Sequence, residues 1–316
     1  MKIVILDYAT LGYDLDLSGA KKYGEVIAYE KTAQNEARER VREADIVIVN
    51  KVKMVREVLE DAKELKLICE TATGFDNIDI DHCRERGILV ANTPAYSSSC
   101  VAQVTVSMVC SLATHLREYE HSVSSGEYTM AGNANLLVPV YHELCGKTWG
   151  IIGFGNIGRA VGAVAEAFGC RLLVNKRTPI EGYECVDLDT LLKNSDIITI
   201  HCPLNDKTRG MIGKRELDLM KNDAILVNVA RGAIWDEGAV ADAVLEGKIG
   251  AIGCDVFSCE PIPEGHPFTR LFGLENVSLT PHMAWGSFES RTRCFNTVLS
   301  NIDAYLKGAP TNIVNK

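Results

Sequence analysis

The chain is expected to be an α/β protein of two doubly wound parallel-sheet domains with a cleft between them. Two patterns predict this. Short β-branched runs alternate with charged helical segments from one end of the sequence to the other, the arrangement of parallel strands covered by helices on both faces. The alternation starts afresh after a polar, loop-like interval over residues 124–147, so 316 residues divide more naturally into two domains than one.

In the first series KIVILD (Lys2–Asp7), EVIAYE (Glu25–Glu30), ADIVIVN (Ala44–Asn50), LKLICE (Leu65–Glu70) and ILVAN (Ile88–Asn92) read as buried strands, with helical segments such as NEARERVREA between them. After Pro94, VAQVTVSMVCSLATHLREYEHSV reads as a single helix, apolar enough to be buried nearly all round. The second series is TWGIIG, RLLVN, DIITIHCP, AILVNVA, IGAIGCDVF and VSLTPH. The tail SFESRTRCFNTVLSNIDAYLKG is amphipathic and helical, and is expected to pack back on the first domain. The expected boundaries are therefore residues 1–100 plus 286–316 for one domain and 101–285 for the other.

Composition narrows the function classes. Hydrophobic residues at 47% and charged residues at 24% are ordinary for a soluble globular protein. A net charge of −9 lacks the basic footprint of a nucleic-acid binder. No apolar run reaches the roughly eighteen residues of a membrane span. The opening MKIVILDYATLGYDLD turns acidic too soon for a signal peptide, so a cytoplasmic location is expected. Eleven cysteines, an odd number with no CxxC pair, suggest buried thiols such as Cys69, Cys110 and Cys254 rather than disulfides. The seven histidines show no metal-ligand spacing, and no metal is expected.

WGIIGFGNIGRA (Trp149–Ala160) carries the first chemical signal. Gly153, Gly155 and Gly158 follow an apolar strand at once and open an alanine-rich helix. In that context the first glycine permits a tight turn, the second lets backbone N–H groups approach a pyrophosphate, and the third lets helix and strand pack closely. A purely structural βα turn is the lesser alternative. The next strand ends in Asn175, Lys176, Arg177 and Thr178. Sites for NAD usually place Asp or Glu there. Two cations instead suit the 2′-phosphate of NADP(H), with NAD(H) still possible and a solvated basic turn the plain alternative.

Three further strands end in polar residues: AILVNVARGAIWDE in Arg231, AIGCDVFSCEP in Glu260 and VSLTPHMAW in His282. Ligands of an open α/β sheet bind beyond the carboxyl ends of its strands, so these side chains should converge. Together they suit reversible hydride transfer to a 2-oxo acid. The histidine donates the proton that the reduced carbonyl needs. A carboxylate beside it stabilises the imidazolium, and an arginine fork holds the substrate carboxylate and polarises the carbonyl. Singly, Arg231 could cap a strand, Glu260 could be an exposed turn and His282 a structural histidine; the coincidence of all three is what argues for a site.

TATGFDNIDI, GFGNIG, HCPLNDKTRGMI, VNVARGAIWDE, DVFSCEP and TPHMAW occur in an order and at spacings that resemble the D-isomer-specific 2-hydroxyacid dehydrogenases over nearly the whole chain. The resemblance implies a flavodoxin-like substrate domain and a Rossmann cofactor domain, with a homodimer formed through the latter. It implies that Arg231 binds substrate, Glu260 tunes the histidine and His282 is the acid/base. Backbone amides of Ala72, Thr73 and Gly74 would cradle the substrate carboxylate, with Trp285 also at the substrate. Gly153, Gly155, Asn156, Ile157, Gly158, Val229 and Ala230 would lie along the cofactor, Asp255 at the nicotinamide amide, and His201, Cys202, Pro203 and Thr208 in the cofactor cleft.

Lys176 departs from the NAD-type members, whose Asp falls at this position. The opening residues, the VNKV stretch and PAYSSSCVAQ look most like the glycerate dehydrogenase or hydroxypyruvate reductase branch. Lys51 in VNKV follows a strand and either faces the substrate or is an ordinary surface lysine. The expected function is reduction of a small 2-oxo acid, hydroxypyruvate or glyoxylate above others. Two alternatives remain. A 3-phosphoglycerate dehydrogenase would call for basic groups near the TATGFDNID loop and a C-terminal regulatory domain, neither of which is seen. A dinucleotide-sensing corepressor would call for docking surfaces and a long tail.

Overall fold

Eleven strands, all paired in parallel, form two separate sheets in this computed structural model, which describes residues 1–316. The first sheet contains β1 (Lys2–Ile5), β2 (Glu25–Ala28), β3 (Ile46–Val49), β4 (Leu67–Glu70) and β5 (Leu89–Ala91) in the order β2-β1-β3-β4-β5. The second contains β6 (Thr148–Ile152), β7 (Arg171–Asn175), β8 (Ile197–Ile200), β9 (Ile225–Asn228), β10 (Ala251–Cys254) and β11 (Val277–Leu279) in the order β11-β10-β9-β8-β6-β7. The chain divides into two units, Met1–Ser97 with Gly286–Lys316, and Ser98–Trp285.

Each sheet is apolar on both faces because every strand is a nearly unbroken apolar run, and successive side chains point to opposite sides. In the first unit Val4, Val47, Val49, Ile68 and Val90 pack on one face against Val41, Leu59 and Cys83. Ile3, Ile5, Ile46, Ile48 and Leu67 point the other way, onto Phe295, Val298 and Ile302 of the C-terminal helix Phe288–Leu306. In the second unit Ile151, Val174, Ile197 and Val227 meet Met108, Val109 and Leu112 on one face. Ile152, Leu173, Ile198, Leu226 and Ile252 meet Leu191, Val240 and Phe268 on the other.

Both strand orders reverse direction once, between β1 and β3 in the first sheet and between β6 and β8 in the second. Such a switch point opens a crevice at the carboxyl ends of the strands. Glycine loop and β8 terminus therefore emerge side by side.

The expected single helix after Pro94 is two helices, Ser98–Ala113 and Leu116–Ser124, bent by 64°. His115 takes a left-handed conformation (φ 52), which cannot continue a right-handed helix, and its ring bonds Glu118 at 2.6 Å. The second helix is not buried all round: Leu116 and Val123 are exposed. The interval expected to be loop contains a short helix, Glu127–Ala131. No single helix is long and apolar enough to cross a membrane. All eleven cysteines are free, with Cys69 and Cys254 buried and Cys110 partly so.

Candidate active site

The glycine loop has the shape a dinucleotide needs. Gly153 stands at φ 90, and a Cβ on it would come within 2.5 Å of the Cys202 amide nitrogen. A Cβ on Gly158 would meet the Gly153 carbonyl oxygen at 2.3 Å. Both positions need glycine for close backbone approach. Gly155 differs, because a Cβ there would meet nothing within 4 Å. It fronts open space at the start of the helix Asn156–Ala167, whose first-turn N–H groups, at Asn156, Ile157 and Gly158, have no side-chain cap. Uncapped amides at a helix N-terminus favour an anion.

Adjacent to this loop, the His201 amide donates to the Ile152 carbonyl at 2.7 Å, while both ring nitrogens of His201 are buried without a partner. Burial holds the His201 imidazole down at about 3 and pushes the Cys202 thiol up to about 11, so both are neutral at ordinary pH. An orphaned imidazole beside this glycine cradle fits a bound dinucleotide, whose polar atoms would satisfy it. Thr208 holds the following turn, its hydroxyl donating to the Pro203 carbonyl at 2.7 Å. At the end of β7 the Asn175 amide donates to the Val186 carbonyl at 3.0 Å, which leaves exposed Lys176 and Arg177 as the cations at this strand end.

Arg231, Glu260 and His282 follow β9, β10 and β11, three neighbouring strands of the second sheet. Fully buried Asn228 shapes the first of these ends. Its amide donates to the Arg231 carbonyl at 3.0 Å and its oxygen accepts from the Ala230 amide at 3.0 Å. Val229 is buried and Ala230 half-buried beside it. Gly232 then lies flat on the Phe257–Ser258 peptide: a Cβ would stand 2.1 Å from the Phe257 carbonyl carbon. The Phe257 amide donates to Glu260 Oε1 at 3.1 Å, and Glu260 Oε2 lies 2.6 Å from His282 Nδ1. The arginine and glutamate loops are thus packed against each other through backbone.

His282 is itself in the left-handed region (φ 54). Asp255, 1% exposed, accounts for that conformation. Its carboxylate accepts from the Thr280 hydroxyl at 2.5 Å and from the Met283 and Ala284 amides at 2.9 Å each. Burial raises the Asp255 carboxyl above the usual carboxylate range, and these three hydrogen bonds with the nearby His282 oppose the shift. The resemblance implies Asp255 at the nicotinamide amide; within the chain its oxygens hold the histidine turn. Trp285 packs, half-buried, on the core of this unit.

The first unit carries its own polar loop. Thr71–Gly74 follows β4, where the Ala72 carbonyl accepts from the Thr93 amide at 3.0 Å and the Thr73 carbonyl from Asn92 at 2.7 Å. The Ala72, Thr73 and Gly74 amides donate to nothing within the fold. Successive unused N–H groups with tied carbonyls make an anion-binding concavity. On the neighbouring strand end, Asp7 accepts from the amides of Asn50, Lys51 and Val52, the Lys51 bond being 2.6 Å, and Asn77 donates to the Asn50 and Val52 carbonyls at 3.2 Å. The loop bearing Lys51 is therefore clamped from both sides of its backbone.

Sequence reasoning missed Asn228, Asp7, Asn77 and the structural work of Asp255. Each is a polar residue at the end of an apolar strand or in the turn beyond it, which was the available signal.

The model of the D-isomer specific 2-hydroxyacid dehydrogenase NAD binding domain matches residues 106–284. A hydroxypyruvate reductase from Blautia hydrogenotrophica is 37% identical, covering 100% of both chains. A glyoxylate reductase from Thermococcus litoralis is 40% identical over 88% of this chain and 86% of its own. Among solved structures, an acyclic imino acid reductase in complex with NADPH and D-Arg superposes with a TM-score of 0.88 at 30% identity, covering 99% of this chain and 100% of its own.

Proposed function

The chain belongs to the D-isomer specific 2-hydroxyacid dehydrogenase family, oxidoreductases that act on 2-hydroxy acids with NAD(P), and from that premise we propose that it reduces hydroxypyruvate or glyoxylate with NADPH. The observation that carries the chemistry is the 2.6 Å contact of His282 Nδ1 with Glu260 Oε2 at the ends of adjacent strands. An ionised carboxylate only accepts, so Nδ1 carries a proton and Nε2 is the nitrogen that exchanges one with substrate.

In reduction, His282 delivers the Nε2 proton to the carbonyl oxygen as negative charge develops there, and in oxidation it removes the hydroxyl proton. Glu260 stabilises the imidazolium required for the first direction. Arg231 polarises the carbonyl and grips the carboxylate with a planar fork. In the first unit, the Ala72, Thr73 and Gly74 amides, with Lys51 on the next strand end, are donors of the kind a carboxylate takes. Gly153–Gly158 and the first turn of the helix Asn156–Ala167 would hold the pyrophosphate, with His201 and Cys202 adjacent to the loop. Bound dihydronicotinamide supplies the hydride. Lys176 and Arg177, exposed cations at the end of β7, would pair with a 2′-phosphate, and their presence where an acidic residue would suit NADH supports NADPH.

We assign the protein to the cytoplasm as a homodimer. Leu116, Val123, Met130, Leu137, Val138 and Tyr141 expose large apolar side chains within one segment of the second unit, and a partner copy would cover them.

The test is absorbance at 340 nm with hydroxypyruvate, glyoxylate, pyruvate and a branched 2-oxo acid, each with NADH and NADPH. Turnover of about 10 per second on the first two supports the reading. Turnover confined to the branched acid, or none at all, overturns it.

A further inference from the structure

Glu260 is presented by a loop whose two ends are tied to one buried carboxylate that takes no part in the chemistry above. Glu237 opens the helix Glu237–Leu245 and is 8% exposed. It accepts from the Ser258 amide at 2.8 Å, from the Ser258 hydroxyl, and lies 3.0 Å from His266 Nε2. The second ring nitrogen of His266 fixes the tautomer: Nδ1 accepts from the Phe268 amide at 3.2 Å, so Nε2 carries hydrogen and donates to Glu237. The ring is 6% exposed and set edge-on between Phe257 and Phe268, at centroid distances of 6.1 and 5.5 Å.

Ser258 and His266 bracket the segment that bears Glu260. Immediately before Ser258, the Phe257 amide is the donor to Glu260 Oε1. The Phe257–Ser258 peptide also forms the surface on which Gly232, next to Arg231, is packed. Moving Ser258 therefore moves the hydrogen bond that aims Glu260 and the bed under the arginine turn. A carboxylate at the first turn of a helix, with three donors converging on it, is well suited to hold that peptide still.

We propose that Glu237, with His266 and Ser258, is a positioning latch that sets the Glu260–His282 distance and so the protonation of His282 during turnover. This rests on the acid/base roles proposed for that pair. The other titratable groups of the region are Cys259 and Glu264 on the loop itself, Cys254, whose thiol burial pushes well up, Asp255, which holds the histidine turn, Arg231, and Asp236, which caps the helix.

The experiment measures kcat/KM against pH for the full-length enzyme with NADPH and hydroxypyruvate. Variants are Glu237→Gln, Glu260→Gln, their combination, and Ser258→Ala, which removes one donor and leaves the carboxylate. Glu237→Gln puts an amide donor where only donors point, so the loop should shift. The alkaline limb should move to lower pH, in the direction Glu260→Gln moves it, with a loss of about 10- to 100-fold at the alkaline side. Within the Glu260→Gln background the same change should no longer move the alkaline limb, since the latch then has no carboxylate to aim; the loss that remains there is independent of pH and comes through the bed under Arg231. Ser258→Ala should move the limb the same way by less, and it decides the matter if Glu237→Gln fails to fold. A uniform loss across pH, equal in both backgrounds, is general destabilisation and overturns the latch. A limb that follows Glu260→Gln but neither Glu237→Gln nor Ser258→Ala overturns the latch alone. A limb unmoved by Glu260→Gln overturns the acid/base roles on which it rests.

Discussion

His282 Nδ1 lies 2.6 Å from Glu260 Oε2 while the histidine backbone is held at φ 54 by the Asp255 carboxylate, which accepts from the Met283 and Ala284 amides. One carboxylate aims the ring and another aims its backbone. His282→Ala should lower kcat by about 10²–10⁴, the usual worth of a general acid/base, and leave cofactor affinity nearly unchanged. Removing the Glu260 charge withdraws support for the imidazolium, so Glu260→Gln should bring the alkaline fall of reductive activity to lower pH. Pre-steady-state turnover of the histidine variant, measured where chemistry limits the rate, is the direct check, and near-full activity would exclude His282.

Gly232 and Gly155 make opposite predictions for the same substitution. A Cβ on Gly232 would sit 2.1 Å from the Phe257 carbonyl carbon and 2.2 Å from the Ser258 nitrogen, both backbone atoms. Gly232→Ala should cost about 1–3 kcal/mol of stability through overpacking, and it should also lower kcat by moving the Glu260 loop. Gly155→Ala meets open space and should leave Tm in place while weakening the cofactor. Thermal unfolding beside a fluorescence titration with NADPH separates the two. Equal loss of Tm in both variants would contradict this geometry.

Much of this site was legible because its chemistry sits where apolar strands stop. Arg231, Glu260 and His282 announce themselves as polar residues just past β9, β10 and β11, and the glycine spacing marks β6. The helix break at His115 was not legible: nothing in the local apolar pattern marks a residue that turns left-handed. Nor were Glu237 and His266, whose partners lie 21 and 29 residues away in sequence. Periodicity reports which face a residue takes, whereas a buried hydrogen-bonded network depends on contacts that only the folded chain creates.

Glu70 provides a prediction about stability in the first unit. It is fully buried, its Oε2 accepts from Asn77 at 3.1 Å, and Oε1 has no partner. Burial, and secondarily the Asp7 charge, raises its carboxyl well above the usual range. A group that binds its proton more tightly when folded stabilises the fold fully below its unfolded value, and that contribution is lost as pH rises through the folded value. Glu70→Gln keeps an oxygen for Asn77 and does not titrate. From about pH 5 to about pH 9 the variant should therefore lose less Tm than the parent enzyme. Parallel Tm curves would show that Glu70 is not the group responsible.

Cofactor choice is predicted to turn on the end of β7. With Asn175 bonded to the Val186 carbonyl, Lys176 and Arg177 are the groups left to meet the adenosine ribose. An acidic residue there would accept from both ribose hydroxyls of NADH, and this chain has none. A 2′-phosphate would instead gain one or two charge-assisted hydrogen bonds, each worth roughly 1.5–3 kcal/mol where water is partly excluded. Both cations are exposed, so screening should trim the preference for NADPH to about one or two orders of magnitude in kcat/KM. The preference should shrink further at high salt, because its source is ionic. Lys176→Asp restores the acceptor and repels the phosphate, so it should raise NADH efficiency and lower that of NADPH together. Side-by-side kinetics with the two cofactors decide it: a parent enzyme that favours NADH, or a variant whose ratio does not move, would remove Lys176 from the discrimination.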